Sequence, residues 1–354
     1  MTRKAVGALA RPPPPAPDMS SPSGPPSQRQ QVTRRAALIS ATGLLAVGAG
    51  VAATWLLDDN DQPSDNGAVT PRRTRTPGAK ALPPFPPLPS RVVSMWVNAF
   101  ESPTIREIPK DVLRQVNVMV MAMAQSGGSG SGLLKWTHPL QSVEAMRTDI
   151  ASVVSQRTPV LLGIGGSDDG GITVRDDRQV ADFVDSVRTM VKKYGFTGID
   201  IDLEPSGSSW TEGALVAVVR RLKEDFGPTF LVGLTVSLYD ESEDQWFSLA
   251  RALGDDLDYW APMLYDFPEA HDERLIPVTL DKVKTTVKAG VPASKQVLGF
   301  MCNAYYNTSP VGVTADAWRR AKKAHPDLRG AFIWESKLEA EHGYPWTRTV
   351  GPLI

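Results

Sequence analysis

From Arg91 to the end of the chain, short apolar runs alternate with amphipathic segments, and few folds accept that alternation. The runs occupy residues 92–97, 116–124, 159–164, 198–204, 230–237, 257–265, 296–301 and 330–334. Helical candidates lie between them at 143–155, 177–194, 212–226, 245–253, 280–289 and 315–324. In the second of these, Val180, Phe183, Val184, Val187 and Val191 recur at helical spacing. Eight strands separated by mostly helical segments over roughly 265 residues is the pattern of an α/β (β/α)8 TIM barrel. The alternative is an open doubly wound sheet, but no glycine-rich nucleotide fingerprint follows the first run. Gly163-Ile-Gly-Gly166 lacks both the spacing and the later acid of such a site.

The fourth run carries the chemistry. Residues 194–205 read Tyr-Gly-Phe-Thr-Gly-Ile-Asp-Ile-Asp-Leu-Glu-Pro, so Asp200, Asp202 and Glu204 alternate with apolar residues. On a strand these three acids share one face, roughly 6.5–7 Å apart, while Ile199, Ile201 and Leu203 take the other. Acids lined up inside a protein are costly to ionise together, so the arrangement points to deliberately perturbed acidity. Active sites of such barrels lie at the C-terminal ends of the strands. Glu204 then stands at the mouth, with Asp202 and Asp200 successively deeper. Tyr265 and Asp266 end the sixth run, Met263 shares the face of Tyr265, and Trp334 ends the eighth. Gly163, Gly165 and Gly166 close the third without side chains, and Gln125 and Asn303 follow the second and seventh. Acids, a phenol and an indole at one mouth suit a sugar ring, with the indole against its apolar face. The residues alone leave three rivals open: a divalent-cation site on the carboxylates, a sugar-binding protein without turnover, and a purely structural acidic network.

Composition narrows the rest. A formal net charge of -1 gives no reason to expect nucleic acid. The single cysteine, Cys302, excludes an internal disulfide framework and a cysteine metal cage. The four histidines lack ligand spacing, so neither a metal nor a cofactor is expected. Residues 1–33 are rich in Pro, Ser and Gln and read as disordered. Residues 34–57 follow, opening with Arg34-Arg35 and containing an uncharged stretch of 22 residues, 36–57, long enough to cross a bilayer. Basic residues precede it and Asp58, Asp59 and Asp61 follow, so the rest of the chain is expected outside the plasma membrane. Thr33-Arg-Arg also resembles a twin-arginine export signal. The segment is thus a cleaved signal or, if uncleaved, a membrane anchor. Residues 58–89 form a Pro/Arg-rich linker, and 90–354 the catalytic barrel.

Residues 197–204, Thr-Gly-Ile-Asp-Ile-Asp-Leu-Glu, resemble the Asp-Gly-x-Asp-x-Asp-x-Glu signature of glycoside hydrolase family 18, the chitinases and endo-β-N-acetylglucosaminidases. Leu161-Leu-Gly-Ile-Gly-Gly166 is similar to the family's third-strand Ser-x-Gly-Gly. Met263-Leu-Tyr-Asp266 is similar to its sixth-strand Met-x-Tyr-Asp, and Ala331-Phe-Ile-Trp334 to its eighth strand. The resemblance implies a general acid at Glu204, which protonates the glycosidic oxygen and then activates water. It implies that Asp202 orients the substrate's acetamide, whose carbonyl oxygen attacks the anomeric carbon, and that Asp200 shares a proton with Asp202. Tyr265 would bond the acetamide, with Trp334 as the floor of the subsite. The implied partner is a glycan containing N-acetylglucosamine, cleaved by a monomer; the alternative is a surface lectin for the same polymer.

Two positions depart from the family pattern. Thr197 replaces its first Asp, and Gly163 replaces the Ser that helps to hold the deepest aspartate. The short span from Cys302 to Arg329 leaves no room for the extra α+β insertion of some members, which implies an open cleft and internal cleavage. Trp96, Trp136 and Trp210 are candidates to extend the cleft, with ordinary packing the favoured alternative for each, and the glycine-rich residues 126–132 to form a mobile lip, with plain linker flexibility as the alternative. Trp260, on the opposite parity from Met263 and Tyr265, is expected under a helix.

Overall fold

The computed structural model describes residues 85–354 apart from 129, 168, 205–207, 240–242 and 303–308. The proposed segments 1–33 and 34–57, with the 36–57 stretch, and most of 58–89 lie outside the described residues. Among the described residues no helix is long and apolar enough to cross a membrane.

Eight parallel strands form the central sheet of the described residues: β1 Val92–Asn98, β2 Val118–Ser126, β3 Val160–Gly165, β4 Gly198–Asp202, β5 Leu231–Val236, β6 Tyr259–Pro262, β7 Val297–Phe300 and β8 Gly330–Ile333. Each is followed by a helix: α1 Lys110–Leu113, α2 Val143–Ser155, α3 Asp177–Tyr194, α4 Glu212–Phe226, α5 Glu243–Leu253, α6 Leu275–Lys288, α7 Val311–Ala324 and α8 Ser336–Glu341. The ladder runs from β7 through β8 and β1 to β6. Parallel bridges Trp260↔Gln296 and Met263↔Gly299 bring β6 back to β7. This is the expected (β/α)8 barrel.

Local chemistry accounts for the elements. The Ser142 hydroxyl accepts from Ala145 N–H at 3.2 Å to cap α2, and the Asp176 carboxylate accepts from Gln179 N–H at 2.8 Å to cap α3. Gly195, at φ 88°, ends α3 in the left-handed conformation that suits a helix terminus. Helices α2, α3 and α4 coincide with the expected segments. Helix α6 begins at Leu275 rather than 280, because Leu275 and Ile276 add a buried first turn. Helix α7 starts at Val311 rather than 315, just after Pro310. Strand β4 ends at Asp202, since its ladder with β3 runs out at Gly165↔Asp202. Glu204 therefore stands two residues beyond the strand.

Alternation along the strands divides the apolar residues into two cores. Ile199, Ile201 and Leu203 join the larger one, between strands and helices. Trp96, Val120, Leu161, Tyr259, Met263 and Phe332 fill the barrel interior. The end of the Pro-rich linker packs as well: the Phe85 ring lies 5.8 Å from Phe230, and the Pro89 carbonyl accepts from Arg329 at 3.0 Å. Trp260 is buried and stacks on Phe247 of α5 at 5.3 Å.

Thr197 proves to be a structural substitution. Its buried hydroxyl accepts from Val160 N–H at 3.0 Å and donates to Val160 O at 3.2 Å, fastening the start of β3 to that of β4. Thr197→Val keeps the shape and orphans a buried N–H. The expected loss is about 1–3 kcal/mol in urea unfolding, with unchanged turnover per folded molecule.

Candidate active site

Burial decreases up β4. Asp200 and Asp202 are 1% and 5% exposed, and Glu204 is half-buried. The backbone here is held tightly. Gly166 N–H donates to Asp202 O at 2.7 Å, and Ser208 donates to Glu204 O from its hydroxyl at 2.7 Å. Gly165 and Gly166 sit at φ 119° and 90°, where side chains are rarely tolerated. A Cβ on Gly165 would overlap the Asp202 carbonyl, and one on Gly166 would lie 2.9 Å from Met123 Sδ. These two glycines bring the end of β3 against the backbone of the acids. Gly163 is covered: a Cβ there would lie 2.6 Å from Trp96 Cζ3, so this position faces an indole rather than the open mouth.

The electrostatics tie the group together. Burial pushes Asp200 up to about 7, opposed by the Tyr259 hydroxyl, which donates to Oδ2, and by Thr235. Thr235 favours the ionised carboxylate through both its side chain and its backbone. Burial, then the charges of Glu204, Asp200 and Asp169, hold Asp202 well above the ordinary carboxylate range. Burial, then Asp202, Glu204, Asp266 and Asp200, hold the Tyr265 phenol well above its usual value. Tyr265 is therefore a protonated donor facing the acids across the barrel.

Met263, Tyr265 and Trp334 belong to the interior cluster that ends beneath this mouth. Trp334 is half-buried, its ring 5.4 Å from Trp96 at 60°. Asp266 follows Tyr265 with φ 63°, a left-handed conformation that aspartate tolerates better than most residues. Gln125 lies near the C-terminal end of β2, half-buried, its backbone paired with Lys135. Asn303 lies outside the described residues.

The structure decides several of the alternatives. Trp96 is buried inside the barrel, and Trp136 is buried edge-on against Tyr194 and Phe196, at 4.8 and 5.1 Å. Both are packing residues and do not extend the cleft. Trp210 remains half-buried, 4.7 Å from Trp246. The expected mobile lip is a stitched wall. Ser126 N–H donates to Asp169 O at 2.7 Å, Thr173 N–H to Ser131 O at 3.0 Å, and Gln179 to Gly130 O at 3.2 Å. Thr173–Val174 then pairs with Ser209–Trp210, joining the loops that follow β2, β3 and β4.

Two participants, Asp169 and Tyr259, and a buried neighbour of Trp334, Glu335, escaped the sequence reading. Asp169 is fully buried, and its Oδ1 accepts from Gly171 N–H at 2.8 Å. Its neighbours Asp168, Gly170 and Gly171 read as a turn. Tyr259 has the same parity as Met263 and Tyr265, and that signal was available. Glu335, adjoining Trp334, is pushed by burial to about 7 against the Asn98 side chain. No element periodicity reaches Glu335.

Residues 94–346 match the sequence model of glycosyl hydrolases family 18. A chitinase of Enterococcus faecalis is 30% identical over 237 residues, covering 56% of this chain and 65% of the relative. Chitinase D of Niallia circulans is 28% identical over 205 residues, covering 54% and 38%. The chain thus spans less than two thirds of either curated relative. A family GH18 chitinase structure from Chromobacterium violaceum superposes with a TM-score of 0.64 at 19% identity, covering 76% of this chain and 84% of that one. At that identity it speaks for the fold alone.

The acidity of Asp200 has a sign that can be measured. Its native pKa lies above the ordinary carboxylate value, so the unfolded chain loses this proton first. The contribution of Asp200 to stability should fall as pH rises from about 4 to about 7 and level off above that. Asp200→Asn cannot ionise and lacks this component. In urea titrations the variant should gain on the parent by on the order of 2–4 kcal/mol across that window. A constant difference would contradict the assignment.

Proposed function

The chain belongs to glycosyl hydrolases family 18, a glycosidase family, and on that premise we propose that it cleaves β-1,4 linkages at N-acetylglucosamine in chitin-like glycans. The observation that carries the reading is the climb from buried Asp200 to half-exposed Glu204, opposite a protonated Tyr265 and beside Trp334. The names of the relatives, both chitinases, support the substrate class.

In the proposed reaction a sugar rests on Trp334, with its acetamide turned toward Asp202 and Tyr265. The Tyr265 hydroxyl donates to the acetamide carbonyl. Asp202 starts with a proton, because burial above all disfavours its ionisation, and orients the acetamide as that proton passes between it and Asp200. Glu204 gives its proton to the glycosidic oxygen as the acetamide carbonyl oxygen closes on the anomeric carbon. The leaving sugar departs, Glu204 takes a proton from water, and that water opens the ring intermediate from the same face. Configuration is retained and no enzyme nucleophile is required; this family stands outside the two-carboxylate scheme. Asp200 and Asp202 titrate as a coupled set rather than singly.

Internal cleavage fits the short connection between β7 and β8, whose described residues form α7 alone after Ser309 and Pro310. Export to the outer side of the plasma membrane is the reading of the arginine-flanked 36–57 stretch.

The test is hydrolysis of chitin oligosaccharides beside Glu204→Gln. The parent should release shorter oligosaccharides, and the variant should lose about 10²–10⁴-fold in kcat/KM while still binding them. Binding by the parent without turnover would replace the proposal with the sugar-binding reading.

A further inference from the structure

Asp200 occupies an unusual place in the sheet. On one side it pairs in register with Gly163, on the other with Gly233, which in turn pairs with Tyr259. Neither neighbour carries a side chain, and each gap is taken by a ring from another strand, one strand beyond Gly233 and two beyond Gly163. The benzo edge of Trp96 lies over Gly163: a Cβ there would meet Cζ3 at 2.6 Å and Cη2 at 3.2 Å. The phenol of Tyr259 lies over Gly233, where a Cβ would overlap the ring. Asp200 therefore meets hydrocarbon on the side of β3 and a hydroxyl on the side of β6. That hydroxyl donates to Oδ2, while Oδ1 has no hydrogen-bond partner among the described residues.

We propose that Tyr259 is the positioning residue for Asp200, supplying from β6 the support that a serine at position 163 would supply from β3. The inference rests on the proposed reaction, in which Asp200 exchanges a proton with Asp202. With Oδ2 engaged by the phenol, Oδ1 is the oxygen left to take that proton. The phenol also favours the ionised carboxylate against its burial, so it keeps Asp200 able to give the proton back. Glycine at 233 is part of the device, since any side chain there would displace the ring.

The groups facing this pair are known. Asp200 feels Tyr259 and Thr235, and Tyr259 feels Asp200 and Asp258. Asp258 is engaged elsewhere, by Lys223 at 2.7 Å and Val232 N–H at 2.7 Å. Asp202, above, feels Glu204, Asp200 and Asp169.

The test is Tyr259→Phe, which removes one oxygen and keeps the ring over Gly233. On chitin oligosaccharides kcat should fall about 10–100-fold with KM within about twofold, as expected for a misplaced reacting group. The pH profile of kcat should move to higher pH, because Asp200 then holds its proton longer. In the Asp200→Asn background the same change should have no further effect, since the two losses pass through one group. Losses that multiply in both backgrounds, or a Tyr259→Phe enzyme with unaltered kcat and pH profile, would overturn the assignment. A second readout needs no turnover: the upper edge of the pH window in which Asp200 lowers stability should move up in Tyr259→Phe, and the Asp200 contribution should be absent in Asp200→Asn. An inactive parent would therefore count against the proposed reaction, while an unmoved stability curve would count against Tyr259.

Discussion

Removing carboxylates from water is the constraint around which this barrel is organised. The register of β4 sets Asp200 among the rings that fill the interior, and the same face rises through Asp202 to Glu204. Water is excluded at the bottom and admitted toward the top, and burial is the largest cause that raises both aspartates. An ionised acid at the depth of Asp200 would need strong compensation. The structure provides the Tyr259 hydroxyl, with Thr235 helping, and burial still favours the proton. Asp202 then inherits the charges of its neighbours in addition to its own burial. The charge state of the group belongs to the interior as a whole.

The mouth is built on the same economy of backbone. Glu204 stands past the end of its strand, where ladder bonds no longer define it, and Ser208 holds its carbonyl. Beyond it, Ser209–Trp210 pairs with Thr173–Val174, which reaches the glycine-rich loop after β2. One wall of the site is thus a chain of backbone hydrogen bonds linking three consecutive βα loops. Small residues serve here because backbone meets backbone: a Cβ on Gly132 would overlap Gln179 O, as one on Gly165 would overlap Asp202 O. On the other side Trp334 rests on Trp96, so the exposed indole is supported by a buried one.

Period and parity made most of this legible before any coordinates. Alternating runs gave the barrel, and the two-residue spacing of Asp200, Asp202 and Glu204 gave the face they share. Met263 and Tyr265 followed from the same parity on the sixth strand. What the sequence withheld were relations across strands. Nothing local says that Trp96 would cover Gly163, because the indole reaches a strand with which its own is not paired. Nothing local distinguishes a glycine-rich mobile lip from a loop fastened through backbone groups, since those bonds leave no mark on residue type. Asp169 reads as a turn residue until the fold buries it beside Asp202. Tryptophans near strand ends were ambiguous for the same reason, and burial separates Trp96 and Trp136 from Trp334.

The departure at position 163 takes on a different meaning in this light. A missing serine beside the deepest aspartate looks like a defect when the third strand is read alone. In the barrel it is half of an exchange. An indole fills the space on that side, closely enough that an added side chain would overpack the interior, a change that typically costs about 1–3 kcal/mol. The hydrogen bond to the carboxylate comes instead from the opposite side, where Gly233 leaves room for a phenol. Trp96 with Gly163 and Tyr259 with Gly233 are two ring-over-glycine pairs flanking one carboxylate, and each pair makes sense only as a unit. The polar support of Asp200 has changed strands, and the space it left on the first has been filled with hydrocarbon.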